Sequence, residues 1–369
     1  MTRLMARRTR PAPGAPSAAP AVLPRGVIIL LGGAGAVVVV AGMRGVADLL
    51  GPIFLALMLT VTASPLTQWL RRHGAPAWLA MTAAIVTVYL LLFALGGALV
   101  VSVARLIDLM PAYQQQFADL RADLTRELSG LGISAQQLRD LLAGADPNSV
   151  VRLVQNLAGG LAGALSNTVF LLAVVLFMCV DAVHFPARLS STVAQRPQVV
   201  DALRSFAQGT RRYLLVCTVF GLIVATVDTL LLWALGIPLP LLWGLLSFIT
   251  NYIPNIGFVI GVVPPALLGL LQGGPGLMMV VVGVYCLVNF VIQSVIQPKM
   301  VGDAVGLSAS VSFLSLVFWG WVFGALGALL AIPLTLLAKG LLVDVDPATR
   351  WLNILLSGGP PPAEDTTGG

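Results

Sequence analysis

Residues 295–308 read VIQPKMVGDAVGLS and residues 318–335 read FWGWVFGALGALLAIPLT, with a largely apolar run between them. A polar, proline-broken elbow opens a long apolar segment that is itself interrupted by Gly324, Gly327 and Pro333. A soluble core has little use for that pattern. In lipid, irregular backbone survives only where protein or a water-filled cavity covers it. Discontinuous helices near mid-membrane recur in transporters. The rest of the chain agrees. It is 58% hydrophobic and 10% charged, with mean hydropathy +0.94, whereas ordinary soluble domains carry about 25% charged residues. Several runs reach the roughly 20 apolar residues that cross a bilayer. The expected fold is all-α and polytopic.

The net charge of +6 does not point to nucleic acid, because the arginines cluster at the ends of apolar segments. Cys179, Cys217 and Cys286 all lie inside apolar runs, which argues for packing rather than a disulfide framework. Residues 1–25, rich in Arg, Pro and Ala, read as a disordered cytoplasmic tail before an uncleaved first span. Residues 26–104 hold three spans. Residues 105–157 mix charges of both signs, and Leu106, Leu109, Tyr113, Phe117, Leu120, Leu124, Leu128 and Leu131 recur at steps of three and four. That is an amphipathic helix, lying either on the membrane and the protein's own surface or at a subunit contact. Residues 158–342 form a bundle with broken segments at 238–272 and 308–342, and 343–369 form a second tail.

Positive charge is concentrated in the N-terminal tail, at Arg71–Arg72 and in 181–212, while 105–157 carries no excess. The positive-inside rule then puts both termini in the cytoplasm and 105–157 outside. The count is about eight transmembrane helices, or six plus two re-entrant hairpins.

The motifs NYIPNIGFVIGVVPPALLGLLQGG (251–274), VIQPKMVGDAVGLS (295–308) and FWGWVFGALGALLAIPLT (318–335) together resemble the autoinducer-2 exporter family, also called PerM-like permeases. The likeness is closest to the autoinducer-2 exporter branch. The resemblance covers most of 27–342 and is specific in the C-terminal half. It implies export of small signalling molecules across the bacterial inner membrane or, in some members, cation/proton exchange. It also implies homo-oligomers, pentamers among them.

Asn251, Pro254, Asn255 and Gly257 form the first break. Proline removes a backbone donor and glycine permits unusual dihedrals, so freed carbonyls and two amides are available to a polar solute. A plain loop is the simpler reading. Asn289, Gln293 and Gln297 share one helix face at steps of four, and Pro298 ends that helix. Amides are costly toward lipid, so this face turns to protein or to a polar path. Asp228 is the one carboxylate well inside a span. Sixteen residues beyond Arg212, it lies about 24 Å on, in the outer half of the membrane. An intramembrane acid is a candidate for proton coupling by default. Pairing with Thr226 or Thr229, or a place near outer water, is the alternative. Gly320, Gly324, Gly327 and Pro333 make the final hairpin, for helix packing or for gating.

Three function classes follow: a small-solute exporter, a cation/proton antiporter, and a non-transporting oligomeric membrane protein that binds partners through 105–157. An intramembrane enzyme is not supported. Asp228 and Asp303 lie on different levels, no HExxH zinc motif is present, and His73 and His184 sit at span ends without a nucleophile. No catalytic residue, metal ligand or cofactor is assigned. There is no GxxxxGK[ST] phosphate loop, so ATP is not the expected energy source.

Overall fold

A computed structural model describes residues 24–130, 159, 163, 168–183, 185–193, 196–253, 256–296, 307–346, 349 and 351–356. The described residues are helical, with no strand among them. In chain order the helices are α1 (Arg25–Gly45), α2 (Ala47–Arg72), α3 (Ala77–Gly130), α4 (Thr168–Ala182), α5 (Phe185–Thr192), α6 (Pro197–Ala234), α7 (Pro240–Thr250), α8 (Gly257–Asn289), α9 (Ala309–Leu329), α10 (Ala331–Lys339) and α11 (Leu352–Leu356). A π-helical turn, Phe290–Ile296, extends α8, and a second, Gly340–Asp344, extends α10. Residues up to Val46 form one compact unit and those from Ala47 another. In the first, α1 is an apolar and largely exposed helix.

Five segments are long and apolar enough to cross a membrane: Ala47–Arg72, Ala77–Asp108, Pro197–Ala234, Gly257–Gln293 and Ala309–Leu329. Large apolar side chains stay exposed along them, including Leu90, Phe93, Leu222, Leu287 and Leu314. Such a surface would be a liability in water and suits contact with lipid. The protein is an all-α polytopic membrane protein.

Within the second unit α2 ends at Gly74, where Gly74 donates to the Arg71 carbonyl and Ala75 to that of Leu70. This double closure satisfies carbonyls that a helix end leaves open. α3 then runs unbroken for 54 residues, about 81 Å against a hydrocarbon core of about 30 Å. It passes straight through the boundary drawn at 104–105 from the change in composition. Leu106, the first member of the amphipathic stripe, is buried. The side chains of the next six stripe residues, and Leu131 altogether, lie outside the described part.

Ala56 on α2, Val88 on α3, and Val175 and Cys179 on α4 form one buried cluster. A larger cluster joins Leu106 of α3, Leu232 of α6, Leu242 and Trp243 of α7, and Val262, Leu268, Val281 and Tyr285 of α8. The corner from α6 to α7 is tightly pinned. Leu239 takes φ 56°, ψ 46°, a conformation uncommon outside glycine. The Leu242 and Trp243 amides donate to its carbonyl, and the Trp243 indole donates to that of Pro238 at 2.9 Å.

α8 and α9 each turn back on themselves. Gly274 has φ 69°, ψ −168° and Gly324 has φ 64°, ψ −142°. Both values fall in or beside a region that only glycine enters readily. Gly269 consequently lies against Leu277, Met278 and Val281, and Trp319 reaches Thr335 with its indole Nε1 donating at 2.9 Å. A methyl on Gly327 would overlap the Trp319 carbonyl. The tip of the second hairpin packs on α2, with Phe323 against Phe54 at 5.6 Å between ring centroids and Leu326 against Gly51. Its feet are fastened too. The Ser308 amide donates to the Leu356 carbonyl at 2.9 Å, Asn353 donates to Asp344 at 2.9 Å, and Lys339 pairs with Asp344 at 3.2 Å.

Candidate functional site

α7 runs antiparallel to the second half of α6, and the two fit closely because the contact residues are small. A methyl on Gly244 would overlap the Thr229 hydroxyl. One on Gly221 would come within 3.0 Å of the Asn251 amide. At the foot of α7 the chain turns. Asn251 donates from Nδ2 to the Cys217 carbonyl at 3.0 Å, and the Tyr213 hydroxyl donates to the Tyr252 carbonyl at 2.7 Å. The Tyr252 and Thr218 hydroxyls share a hydrogen bond of 2.7 Å. α8 then starts at Gly257, where a side chain would run into the Thr250 carbonyl. Gly257 is helical and has no unusual φ. Its role here is close approach, which corrects the expectation of special dihedrals.

The second arm of α8 brings its polar face to this turn. Tyr285, Asn289 and Gln293 follow at steps of four, and the π-helical turn opens just after Asn289. Such turns widen a helix locally and are frequent at functional sites. Asn289 donates to the Tyr285 carbonyl at 2.9 Å. Gln293 Nε2 donates to Asn289 Oδ1 at 2.9 Å and to Asn251 Oδ1 at 3.4 Å. Three amides, from two segments some forty positions apart in the chain, therefore form one hydrogen-bonded chain. They line a cavity with Val224, Ser247, Thr250, Phe258 and Tyr285. Its volume is about 10 Å³, close to the space one water needs.

Asp228 lies behind this cavity, on α6. It is 0% exposed, and neither carboxyl oxygen has a hydrogen-bond partner among the described residues. Thr226 and Thr229 donate back along their own helix, to the Leu222 and Ala225 carbonyls, which sets aside pairing of the acid with either hydroxyl. Ser247 Oγ lies beside both Asp228 and the Tyr285 hydroxyl. Each of these two hydroxyls is itself buried and without a well-formed hydrogen bond. An unpaired buried charge costs several kcal/mol, so this group of atoms is incomplete as it stands.

The structure thus gathers Asn251, Asn289, Gln293 and Gly257 and sets Asp228 behind them. Pro254, Asn255, Gln297 and Pro298 lie outside the described residues, as do Lys299, Asp303 and His184. Gly320, Gly324, Gly327 and Pro333 belong to the other hairpin. There Gly320 makes ordinary contact with Ala328 at 3.8 Å and Pro333 is buried in the first turn of α10. Ser247, Thr250 and Tyr285 were missed in the sequence. Tyr285 continues the step-of-four series upward from Asn289, and Ser247 stands four residues before Asn251, so both were within reach of the same periodicity argument. Among the described residues no group of His, Cys, Asp and Glu is arranged to hold a metal.

Comparison with known proteins adds a family. The family model described as AI-2E family transporter matches residues 27–345. The chain is 34% identical over 319 residues to the AI-2 transport protein TqsA of Escherichia coli strain K12, covering 85% of this chain and 90% of that one. It is 32% identical over 337 residues to the putative transport protein YhhT of the same strain, covering 91% and 96%. A putative transport protein of Haemophilus influenzae is 31% identical over 316 residues, covering 84% and 90%.

Proposed function

The chain belongs to the AI-2E family of transporters, and from that premise we propose that it exports a small polar signalling molecule of the autoinducer-2 kind past Asn251, Asn289 and Gln293. The observation that carries this reading is the chain of amides around the water-sized cavity. Amides offer donors and acceptors without net charge, which suits a neutral, hydroxyl-rich solute. Among the lining residues there is no Asp, Glu, Lys or Arg to hold an ionic one. The cavity is too small for any such solute, so the elements around it separate during transport.

The chain lies in the bacterial inner membrane with both termini cytoplasmic and the far part of α3 outside, following the arginine distribution. The broken segments 238–272 and 308–342 are re-entrant. The arms of α9 and α10 run about fifteen residues each on either side of the turn at Gly324, about 22 Å, short of the hydrocarbon thickness. The first break, beside Cys217 and Gly221, lies about 8–14 Å along α6 from Arg212, within the membrane rather than at its edge. Pro254, Asn255, Gln297 and Pro298 are assigned to the same pathway from the sequence motifs that hold them, and Gly320, Gly324, Gly327 and Pro333 let the second hairpin move as one piece. Assembly as a homo-oligomer is carried over from the family resemblance. The similarity of the chain to a protein named for AI-2 transport supports the solute class.

The test is uptake of labelled autoinducer-2 into inverted membrane vesicles, where export becomes inward movement. Wild type should accumulate label, Gln293→Leu should lose at least about tenfold of that rate, equivalent to ~1.4 kcal/mol, and Thr226→Ala should match wild type. No uptake by a folded wild-type protein would sink the solute assignment. Equal uptake by Gln293→Leu would move the pathway elsewhere.

A further inference from the structure

We propose that Asp228, with the hydroxyls of Ser247 and Tyr285, forms a proton-binding site behind the amide cavity, loaded and emptied through that cavity as the transporter cycles. The geometry is the reason. Asp228 is 0% exposed, Tyr285 1% and Ser247 6%, and among the described residues the two carboxyl oxygens and the two hydroxyls all lack a well-formed hydrogen bond. Unpartnered buried polar atoms are rare and call for a cause. Here four of them gather at one place, with Ser247 between the other two. Ser247 and Tyr285 also line the cavity that Asn289 and Gln293 close, so a water there has polar atoms on both sides.

The charged surroundings decide what the ligand is. Tyr285 is the titratable side chain that faces Asp228 from α8. α7 and Gly257–Gln272 carry none. On α3, which packs against α7 and α8, Arg105 and Asp108 are exposed. On α2, Asp48 and Arg72 sit exposed at the two helix ends, and Arg71 reaches the Val183 carbonyl. On α10, Lys339 is paired with Asp344. Further down α6, Arg211 donates to Ser64 on α2 at 2.5 Å. No described cation therefore sits beside Asp228. With nothing to balance a carboxylate, a proton is the smallest ligand that removes the charge. The reaction is simple exchange: a carboxylate oxygen takes a proton from cavity water when the cavity is wet, and the resulting acid is neutral when the helices close over it. Release returns the proton to water by the same hydroxyls. Coupling of this exchange to solute movement rests on the pathway reading above, whereas proton binding itself does not.

The experiment is infrared difference spectroscopy of the purified full-length protein in lipid nanodiscs while pH is varied. We expect a carboxylic-acid carbonyl band that titrates, is lost in Asp228→Asn and is kept in Asp48→Asn. If the asparagine variant fails to fold, Tyr285→Phe and Ser247→Ala in folded protein should shift that band. A spectrum without such a band, or a band unchanged in all these variants, overturns the proposal. Loss of the band on adding sodium chloride at constant pH would also overturn it, since the occupant would then be a metal cation. In proteoliposomes, labelled autoinducer-2 should accumulate along an imposed pH gradient with wild type and not with Asp228→Asn. A band that behaves as expected beside a wild type that moves no autoinducer-2 would uphold the proton site and reject the solute assignment.

Discussion

Gln293→Leu keeps the size of the side chain and removes the donor that two other amides share. Asn289 Oδ1 and Asn251 Oδ1 both accept from Gln293 Nε2, and leaving the buried Asn289 acceptor unsatisfied costs about 1–3 kcal/mol. The variant should unfold at lower temperature as well as transport less, and thermal unfolding in detergent reads the first effect separately. Gly257→Ala should be costly for a different reason. Its methyl would meet the Thr250 carbonyl, which is backbone and cannot swing aside. Overpacking of that kind costs about 1–3 kcal/mol, against no more than ~0.5 kcal/mol for Gly276→Ala, where nothing lies within 4 Å. Equal melting temperatures for the two alanine variants would refute the close-approach account. At this scale the sequence was informative about polarity and blind to distance. Asn251, Asn289, Gln293 and Asp228 stood out because polar groups are rare in apolar spans. Tyr285 did not stand out, because a tyrosine in such a span reads as packing. Gly257 stood out for the wrong physical reason, since a sequence shows a missing side chain but not the carbonyl that requires it to be missing.

Each of the two hairpins depends on the backbone of one residue. Gly274→Ala and Gly324→Ala force an alanine into a region that costs a side-chain-bearing residue about 1–3 kcal/mol, so each should lower the unfolding midpoint, and Gly274→Ala should do so much more than Gly276→Ala. If Gly274→Ala is as stable as wild type, the turn is not where φ 69° places it. Length and hydropathy alone do not show these reversals. Gly257–Gln293 and Ala309–Leu329 both pass as continuous spans by composition, yet one dihedral angle in each reverses its direction. In α3 the apolar stretch ends at Asp108, close to where charges appear after 104, and the helix itself continues to Gly130 because helical hydrogen bonding is indifferent to whether side chains face lipid or water.

At the scale of the whole molecule the arginine-based topology makes a direct prediction. With Cys286, the exposed native thiol, replaced by serine, a cysteine at position 122 on the far part of α3 should react with a membrane-impermeant maleimide in intact cells, and one at position 73 should react only after lysis. The reverse pattern would invert the proposed orientation. The proposed orientation rests on charge alone, because charge distribution is a property of composition. How the last segment is held was not legible in the sequence, because it depends on Ser308 meeting Leu356 and Asp344 meeting Asn353, pairings between residues with no pattern of their own. Those contacts act as a buckle. With both feet of the second hairpin clasped together, its arms cannot peel apart one at a time, and displacement at Gly324 becomes a tilt of the whole piece about its base, a lever arm of roughly 22 Å. The final described turn of the chain is then a tension adjuster for a distant tip, and loosening it should be felt deep in the bilayer before anything near the surface unfolds.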